Sequence, residues 1–213
     1  MSTDDKRPYR SALREEHAAA TRARVLDAAA ECFTETGYQG TSLAAIARRA
    51  GVSVDTVQAT GAKRDLLLGA FERTFVGVET RDITRGDTHV ARLIGIEDPR
   101  EMLAAMNAET VAATGRVRAL WWAFRGAAAS DEGVQEILHG LLERRHRDFR
   151  AFVDVLRGKG VVIPDGERVA VEAELALAPE TYAHFVDDHG WTQERYRDWA
   201  VERVAALVFA PGS

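Results

Sequence analysis

An all-helical fold is what this chain predicts, and three features predict it. Almost every segment of its 213 residues repeats apolar side chains at helical spacing, and no stretch alternates long enough for a confident strand. Helix stops and starts (Gly37, Gly51, Asp98-Pro99, Ser130, Gly158, Asp165 and Thr192) divide that pattern into helix-length pieces. The composition, 46% hydrophobic and 29% charged, is that of a globular chain with enough apolar material for a real core.

The elements follow in order. Residues 1–14 read as a flexible basic arm. From about Glu15 to Thr36 a helix carries Val25, Leu26, Ala29, Cys32 and Phe33 on one face and stops at Gly37. Ser42 caps a short helix through Leu43, Ile46 and Ala47 that ends at Gly51, and Ser53 caps another that begins at Val54. A longer helix, from about Ala62 to Arg81, has Leu67, Phe71, Phe75 and Val78 as its stripe, followed by a polar break at Arg85, Gly86 and Asp87.

Beyond the break the pattern is that of a bundle. Asp98-Pro99-Arg100-Glu101 opens a helix with a capping carboxylate, proline at the first helical position and an acid that can reach back. Gly115 is read as dividing it from a helix over 116–129, and Ser130 as the cap of a long helix reaching Arg157. Asp165 opens another that Pro179 kinks or splits, and Thr192 caps a last one to about Ala210. The expected total is about nine helices.

Composition narrows the function. One cysteine, Cys32, forms no internal disulfide and reads as a small core residue, which removes stapled secreted scaffolds and Cys-rich zinc modules. No apolar run is long enough to span a membrane, and the charged segment Met1–Arg14 has no signal core, so a cytoplasmic protein is expected. The formal net charge is -5, but it is uneven. Up to Arg64 there are ten basic against eight acidic residues; beyond it, eighteen against twenty-five. Such asymmetry is a weak pointer to a polyanion partner for the first part.

The two short helices around Ala50-Gly51-Val52-Ser53 form a helix-turn-helix signature. Gly51 supplies the permissive turn, Val52 plugs the angle between the helices, and Ser53 restarts the chain. The wider stretch runs Arg24-Val25-Leu26-Asp27-Ala28-Ala29, Phe33, Gly37-Tyr38-Gln39-Gly40-Thr41-Ser42-Leu43-Ala44-Ala45-Ile46-Ala47, Ala50-Gly51-Val52-Ser53, Thr56-Val57 and Lys63-Arg64-Asp65-Leu66-Leu67. In residues and spacing it resembles the TetR family of transcriptional regulators. Near the other end, Asp187-Asp188-His189-Gly190-Trp191-Thr192 and Tyr196 are similar to the loop and final helix of many members.

The resemblance implies an N-terminal three-helix DNA-binding domain over 15–64 and a larger ligand-binding and dimerisation bundle over 65–213. It further implies a homodimer on a palindromic double-stranded DNA operator, paired through helices 165–189 and 192–210, with a repressor role relieved by a small-molecule effector. In the family the second helix of the motif enters the major groove, so Val54, Asp55, Gln58, Ala59 and Thr60 fall nearest the bases and Ser53 at their start. Gln58 is the best reader, because its amide can pair with both N6 and N7 of adenine. Ser42 matches a family position that holds a phosphate, and Lys63 matches the family lysine on the DNA backbone. Arg7, Arg10 and Arg14 serve either as phosphate or minor-groove contacts or as a solvated tail.

The chain departs from the family at the end of the reading helix. Members usually carry a tyrosine and a phenylalanine there; this chain reads Thr56-Val57-Gln58-Ala59-Thr60-Gly61-Ala62-Lys63 and, aligned on Lys63, is one residue short. The helix is therefore expected to end at Gly61. An alternative reading is a small-molecule-binding helical dimer with weakened or lost DNA binding.

The bundle offers further candidates. On the helix to Arg157, Leu138, Leu142, Phe149, Phe152 and Leu156 form a stripe, and Arg145 lies within about 20° of its centre. A guanidinium there either binds a ligand carboxylate or pairs with a core acid. Trp121, Trp122 and Arg125 sit on an interior-looking helix that makes a plausible pocket wall, with Met102, Met106 and Asn107 opposite and Phe149 beside Arg145. The pairs Glu136/His139 and Glu143/His146 suggest metal chemistry, but both lie on one helix with the acids on the far side; a solvated face explains them better. A metal-dependent helical enzyme using His139 and His146 is the remaining rival. No Ser/His/Asp, phosphate-loop or dinucleotide pattern supports an enzyme, and no cofactor or metal is expected. The last two long helices each carry apolar residues on two sides, Val169, Leu175, Tyr182 and Phe185 on one and Tyr196, Trp199, Val204, Leu207 and Val208 on the other, which implies a second packing partner. A symmetric dimer provides it, and a monomer with a larger core is the alternative.

Overall fold

A computed structural model describes residues 6–76 and 90–209, and for 6–14 the backbone path alone. The described residues are helical, with no strand among them. The helices are α1 (Lys6–Gly40), α2 (Leu43–Ala50), α3 (Val54–Thr60) and α4 (Lys63–Val76), then α5 (Pro99–Ala128), α6 (Glu132–Gly158), α7 (Gly166–Ala176), α8 (Pro179–Ala183) and α9 (Gln193–Phe209).

Capping chemistry explains most of these bounds. Asp98, Asp131 and Asp165 precede α5, α6 and α7, and each carboxylate accepts a backbone N–H from the first turn. Pro179 splits the chain as expected: Leu177 ends α7, Pro179 opens α8, and α8 passes into a π turn over His184–Asp188. Thr192 Oγ1 accepts from Arg195 N at 3.2 Å and starts α9.

Several expectations are corrected. Helix α1 begins at Lys6, well before Glu15, so the stretch read as an arm is helical from there; residues 1–5 and the side chains of Arg7, Arg10 and Arg14 lie outside the described residues. The chain kinks at Gly37 (φ 69°) and one more helical turn follows, where a stop was expected. The expected cap Ser130 is displaced by Asp131, whose carboxylate accepts from Val134 N at 3.1 Å. Gly115 does not divide two helices, because α5 runs through it. Glycine fits there because a Cβ would stand 2.6 Å from Gln193 Oε1 and 3.0 Å from the Tyr182 hydroxyl. Val78, Arg81 and the polar break at 85–87 lie outside the described residues.

Two apolar cores stack along α5 and α6. The first joins Val25, Leu26, Phe33, Ile46, Val57, Leu67 and Phe71 of α1–α4 to Val117, Leu120, Trp121 and Phe124 of α5 and Val134 and Leu138 of α6. The second gathers Met102, Leu103, Val111, Val153, Leu156, Val169, Tyr182, Tyr196 and Val204 at the far end. The N-terminal helices thus have no core apart from the near half of the bundle. Cys32 is buried at 6% exposure in that first core, as its place on the apolar face implies.

Helices α1 and α4 meet closely at Gly69, where a Cβ would lie 2.9 Å from Leu26 Cδ2, and Leu26 is fully buried. Gly69→Ala is expected to overpack this contact by about 1–3 kcal/mol, against up to about 1 kcal/mol regained in helix propensity. A lower unfolding midpoint in urea at unchanged slope checks it.

Candidate nucleic-acid interface

The motif is built from short-range bonds that the sequence dictates. Ser42 Oγ accepts from Ala45 N at 3.1 Å and opens α2. Helix α2 buries Ile46 and Ala47 and closes on Gly51, whose left-handed φ of 66° turns the chain. Val52 N returns to Ala47 O at 3.0 Å, which sets the angle between α2 and α3, and Val52 packs half-buried on the core. Ser53 Oγ then accepts from Thr56 N at 3.1 Å.

Helix α3 is seven residues long and fixed from below by Val57, which is fully buried. Its exposed side chains are Val54, Asp55, Gln58 and Ala59, with Ser53 beside them at the cap. Thr60, also expected near the bases, is half-buried, and its hydroxyl donates to Thr56 O at 2.9 Å. Arg22 Nη1 of α1 donates to the Thr60 carbonyl at 2.7 Å and holds the end of the helix. As expected, α3 stops at Gly61; the next helix is started by Asp65, whose carboxylate accepts from Ala62 N at 3.1 Å.

Lys63 does not project freely. Its ammonium stands 4.5 Å from the centroid of the Tyr38 ring, and burial lowers its pKa while Asp131 opposes that shift. Tyr38 donates to Asp131 Oδ2 at 3.2 Å, and Gln39 Nε2 donates to Ser130 Oγ at 3.1 Å. Burial, reinforced by Asp131, pushes the Tyr38 hydroxyl up to about 12, so it remains a donor at neutral pH. This joint ties the end of α1 to the α5–α6 turn. No spacing rule could find it, because its partners lie about ninety residues apart.

Further cations of the N-terminal helices are engaged internally. Arg49 pairs with Glu35 at 2.6 Å and Arg73 with Asp27 at 2.6 Å, while Arg48 at the end of α2 is exposed. Arg116 of α5 donates to the Thr74 and Phe75 carbonyls at 3.2 and 2.8 Å and so seats the end of α4 on the bundle.

The expected pocket residues are not brought together. Trp121 is buried in the first core, whereas Met102 belongs to the second, about 28 Å away along α5 at helical rise. Trp122 is 48% exposed and Arg125 is exposed, so neither is an interior wall; α5 is buried on one side only at this level. Asn107 is buried with no partner for its Nδ2, while Met106 and Phe149 are half-buried against the second core. A cleft of about 160 Å³ between α5 and α9, lined by Ala108, Val111, Ala112 and Gln193 among others, includes none of the expected residues. It is also smaller than the roughly 300–1,000 Å³ usual for such ligands.

Arg145 takes the ion-pair alternative: its Nη2 donates to Glu174 O at 2.7 Å, and its Nε lies 3.6 Å from Glu174 Oε1. Burial lowers its pKa and Glu174 opposes the shift. His146, expected on a solvated face, instead bridges α6 to α7, with Nδ1 3.1 Å from Glu174 and Nε2 3.2 Å from Glu167. His139 is exposed beside Glu143. Among the described residues no group of three or more His, Cys, Asp or Glu is placed to hold a metal ion.

A capped bihelical motif with an exposed second helix, carried on a larger helical bundle, is the architecture in which helix-turn-helix proteins present a reading helix. Residues 25–58 match the model for bacterial regulatory proteins of the tetR family. The HTH-type transcriptional regulator BetI of Burkholderia lata is 30% identical over 133 residues, which are 61% of this chain and 66% of that protein; the chain thus spans just under two thirds of the curated relative's length. A TetR-family regulator from Mesorhizobium loti superimposes with a TM-score of 0.68 at 20% identity, over 89% of this chain and 97% of that one. FadR of Bacillus subtilis, solved in complex with stearoyl-CoA, gives 0.66 at 18% identity, over 89% and 98%. Residues 25–58 thus carry the helix-turn-helix segment of the tetR family of bacterial regulatory proteins, and the fold of the described residues is similar to that of solved regulators of that kind.

Proposed function

We propose that this protein is a homodimeric, effector-responsive repressor acting in the cytoplasm on a palindromic operator. The observation that carries the reading is the exposed set Val54, Asp55, Gln58 and Ala59 on a helix anchored by Val57 and Arg22. Two such helices in a dimer reach major-groove half-sites about one helical turn apart. In support of the dimer, Val171 and Leu175 on α7 are 48% and 66% exposed, an apolar face that a second copy would cover. That FadR of Bacillus subtilis, similar in fold, was solved in complex with stearoyl-CoA supports an effector here. Ligand would then favour a dimer geometry that no longer fits the operator spacing. No described helix is long and apolar enough to cross a membrane.

The test is binding to duplex fragments from the gene's own chromosomal neighbourhood as salt is raised. One fragment should bind tightly. Gln58→Ala should weaken that fragment selectively, by about 1–3 kcal/mol. Lys63→Ala should weaken all fragments and lower the salt slope by about one, if the lysine reaches a phosphate from its place above Tyr38. Absence of binding at low salt would favour the second reading, a ligand-binding dimer that has lost DNA recognition. The early end of α3 and the engagement of Thr60 motivate that reading.

A further inference from the structure

The reading face of α3 has an unusual chemistry. Taking Val54 as origin at about 100° per residue, Gln58, Asp55 and Ala59 follow at about 40°, 100° and 140°. The centre of this face lies about 130° from buried Val57 and about 170° from Thr60, and all four of its side chains are exposed. The face holds one amide, one carboxylate and two small apolar groups, and no Lys or Arg.

Each of these groups has a restricted set of partners in a major groove. The Gln58 amide can donate to N7 and accept from N6–H of adenine. The methyls of Val54 and Ala59 suit the thymine methyl. Asp55 is the informative one. An ionised carboxylate only accepts hydrogen bonds, and phosphates on both sides of the groove repel it. Guanine and thymine present acceptors at their groove edges (O6 and N7, or O4), so the carboxylate meets a donor only at a cytosine or an adenine. Adenine places its N7 acceptor beside its N6 donor and suits an amide better; cytosine offers the N4 donor without that neighbour. Asp55 also stands one turn from Gln58, so the two read adjacent parts of the half-site.

We infer that Asp55 is a cytosine-specificity determinant, and that α3 reads A·T pairs together with one C·G pair sensed from its cytosine, without any guanine fork. This rests on the DNA-binding reading above. The carboxylate acts mainly by exclusion: it makes G and T at its position costly, which gives sequence preference at the expense of overall affinity.

The test is selection from a randomised duplex pool by the full-length protein, in parallel with Asp55→Asn and Asp55→Ala. The wild type should enrich a half-site with a fixed cytosine next to adenine and thymine positions. Asp55→Ala should lose that preference by on the order of tenfold or more while the other positions persist. Asp55→Asn, now a donor and an acceptor, should switch the position from cytosine to adenine. Replacing guanines in the selected half-site by 7-deazaguanine should leave wild-type affinity within about twofold, because no side chain of α3 uses guanine N7. An enriched half-site with the same preference in wild type and Asp55→Asn, or a fixed guanine sensitive to the deaza substitution, overturns the inference and leaves the regulator reading standing. A pool from which the wild type enriches nothing overturns both.

Discussion

Phe71→Ala is expected to lower the stability of the whole chain by about 3–5 kcal/mol, in a single transition. Phe71 is 6% exposed and lies on α4 between three rings: Phe75 at 6.2 Å, Trp121 at 6.0 Å and Phe124 at 5.9 Å between centroids. Two of these belong to α5, so the ring is where the N-terminal helices and the bundle share their core. Removing it leaves a cavity at the junction, and partial relaxation on either side disturbs both. The measurement is urea unfolding followed by far-ultraviolet dichroism and by tryptophan fluorescence. Coincident curves with a lower midpoint agree with one core; a separate early transition that leaves the fluorescence unchanged does not. The same continuity has a functional consequence. A bundle that shifts on binding a ligand cannot leave α1 and α4 in place, because Arg116 caps α4 and Tyr38 is bonded to Asp131.

Glu174→Gln should cost about 2–4 kcal/mol. Its carboxylate faces the Arg145 guanidinium at 3.6 Å and the His146 ring at 3.1 Å, and the Arg145 and Glu174 side chains are only 21% and 22% exposed. Deleting the carboxylate strands a desolvated guanidinium, although the Glu174 carbonyl still accepts from it at 2.7 Å. Removing both charges with Arg145→Met and Glu174→Gln together should recover much of the loss, since an apolar pair avoids the desolvation cost of the ions. A double-mutant cycle reads this directly. A neutral Glu174→Gln would instead mean that the bond to the Glu174 carbonyl suffices to hold Arg145 and that the carboxylate contributes little.

Local signals carried most of the fold. Cap residues, Pro179 and the helical periodicity gave the starts of α5, α7 and α8 within a residue or so, because each acts through bonds to its own first turn. The start of α1, by contrast, was placed nine residues late, and a start after Gly115 does not exist. The motif was legible for the same reason: Ser42, Gly51 and Ser53 make contacts no more than four residues away. Errors arose where a residue answers to a distant neighbour. Gly115 looks like a breaker until Tyr182 and Gln193 are seen against it. His146 looks solvated until α7 brings Glu167 and Glu174 to its two nitrogens. The pocket suffered most, because angular position on one helix says nothing about height: Trp121 and Met102 are both buried, in different cores. The Lys63 site was assigned by resemblance, and the Tyr38–Asp131 pair that draws it in is a tertiary feature without a sequence signature.

The most direct measurement of the central claim is a footprint of the protein on the fragment it binds, combined with the mass of the complex. Two protomers should protect two inverted half-sites whose major-groove contacts lie about 10–10.5 base pairs apart, or a multiple of that spacing. Gln58→Ala should weaken both patches equally. A single protected patch bound by one protomer, or protection unchanged by replacing the exposed residues of α3, would contradict it.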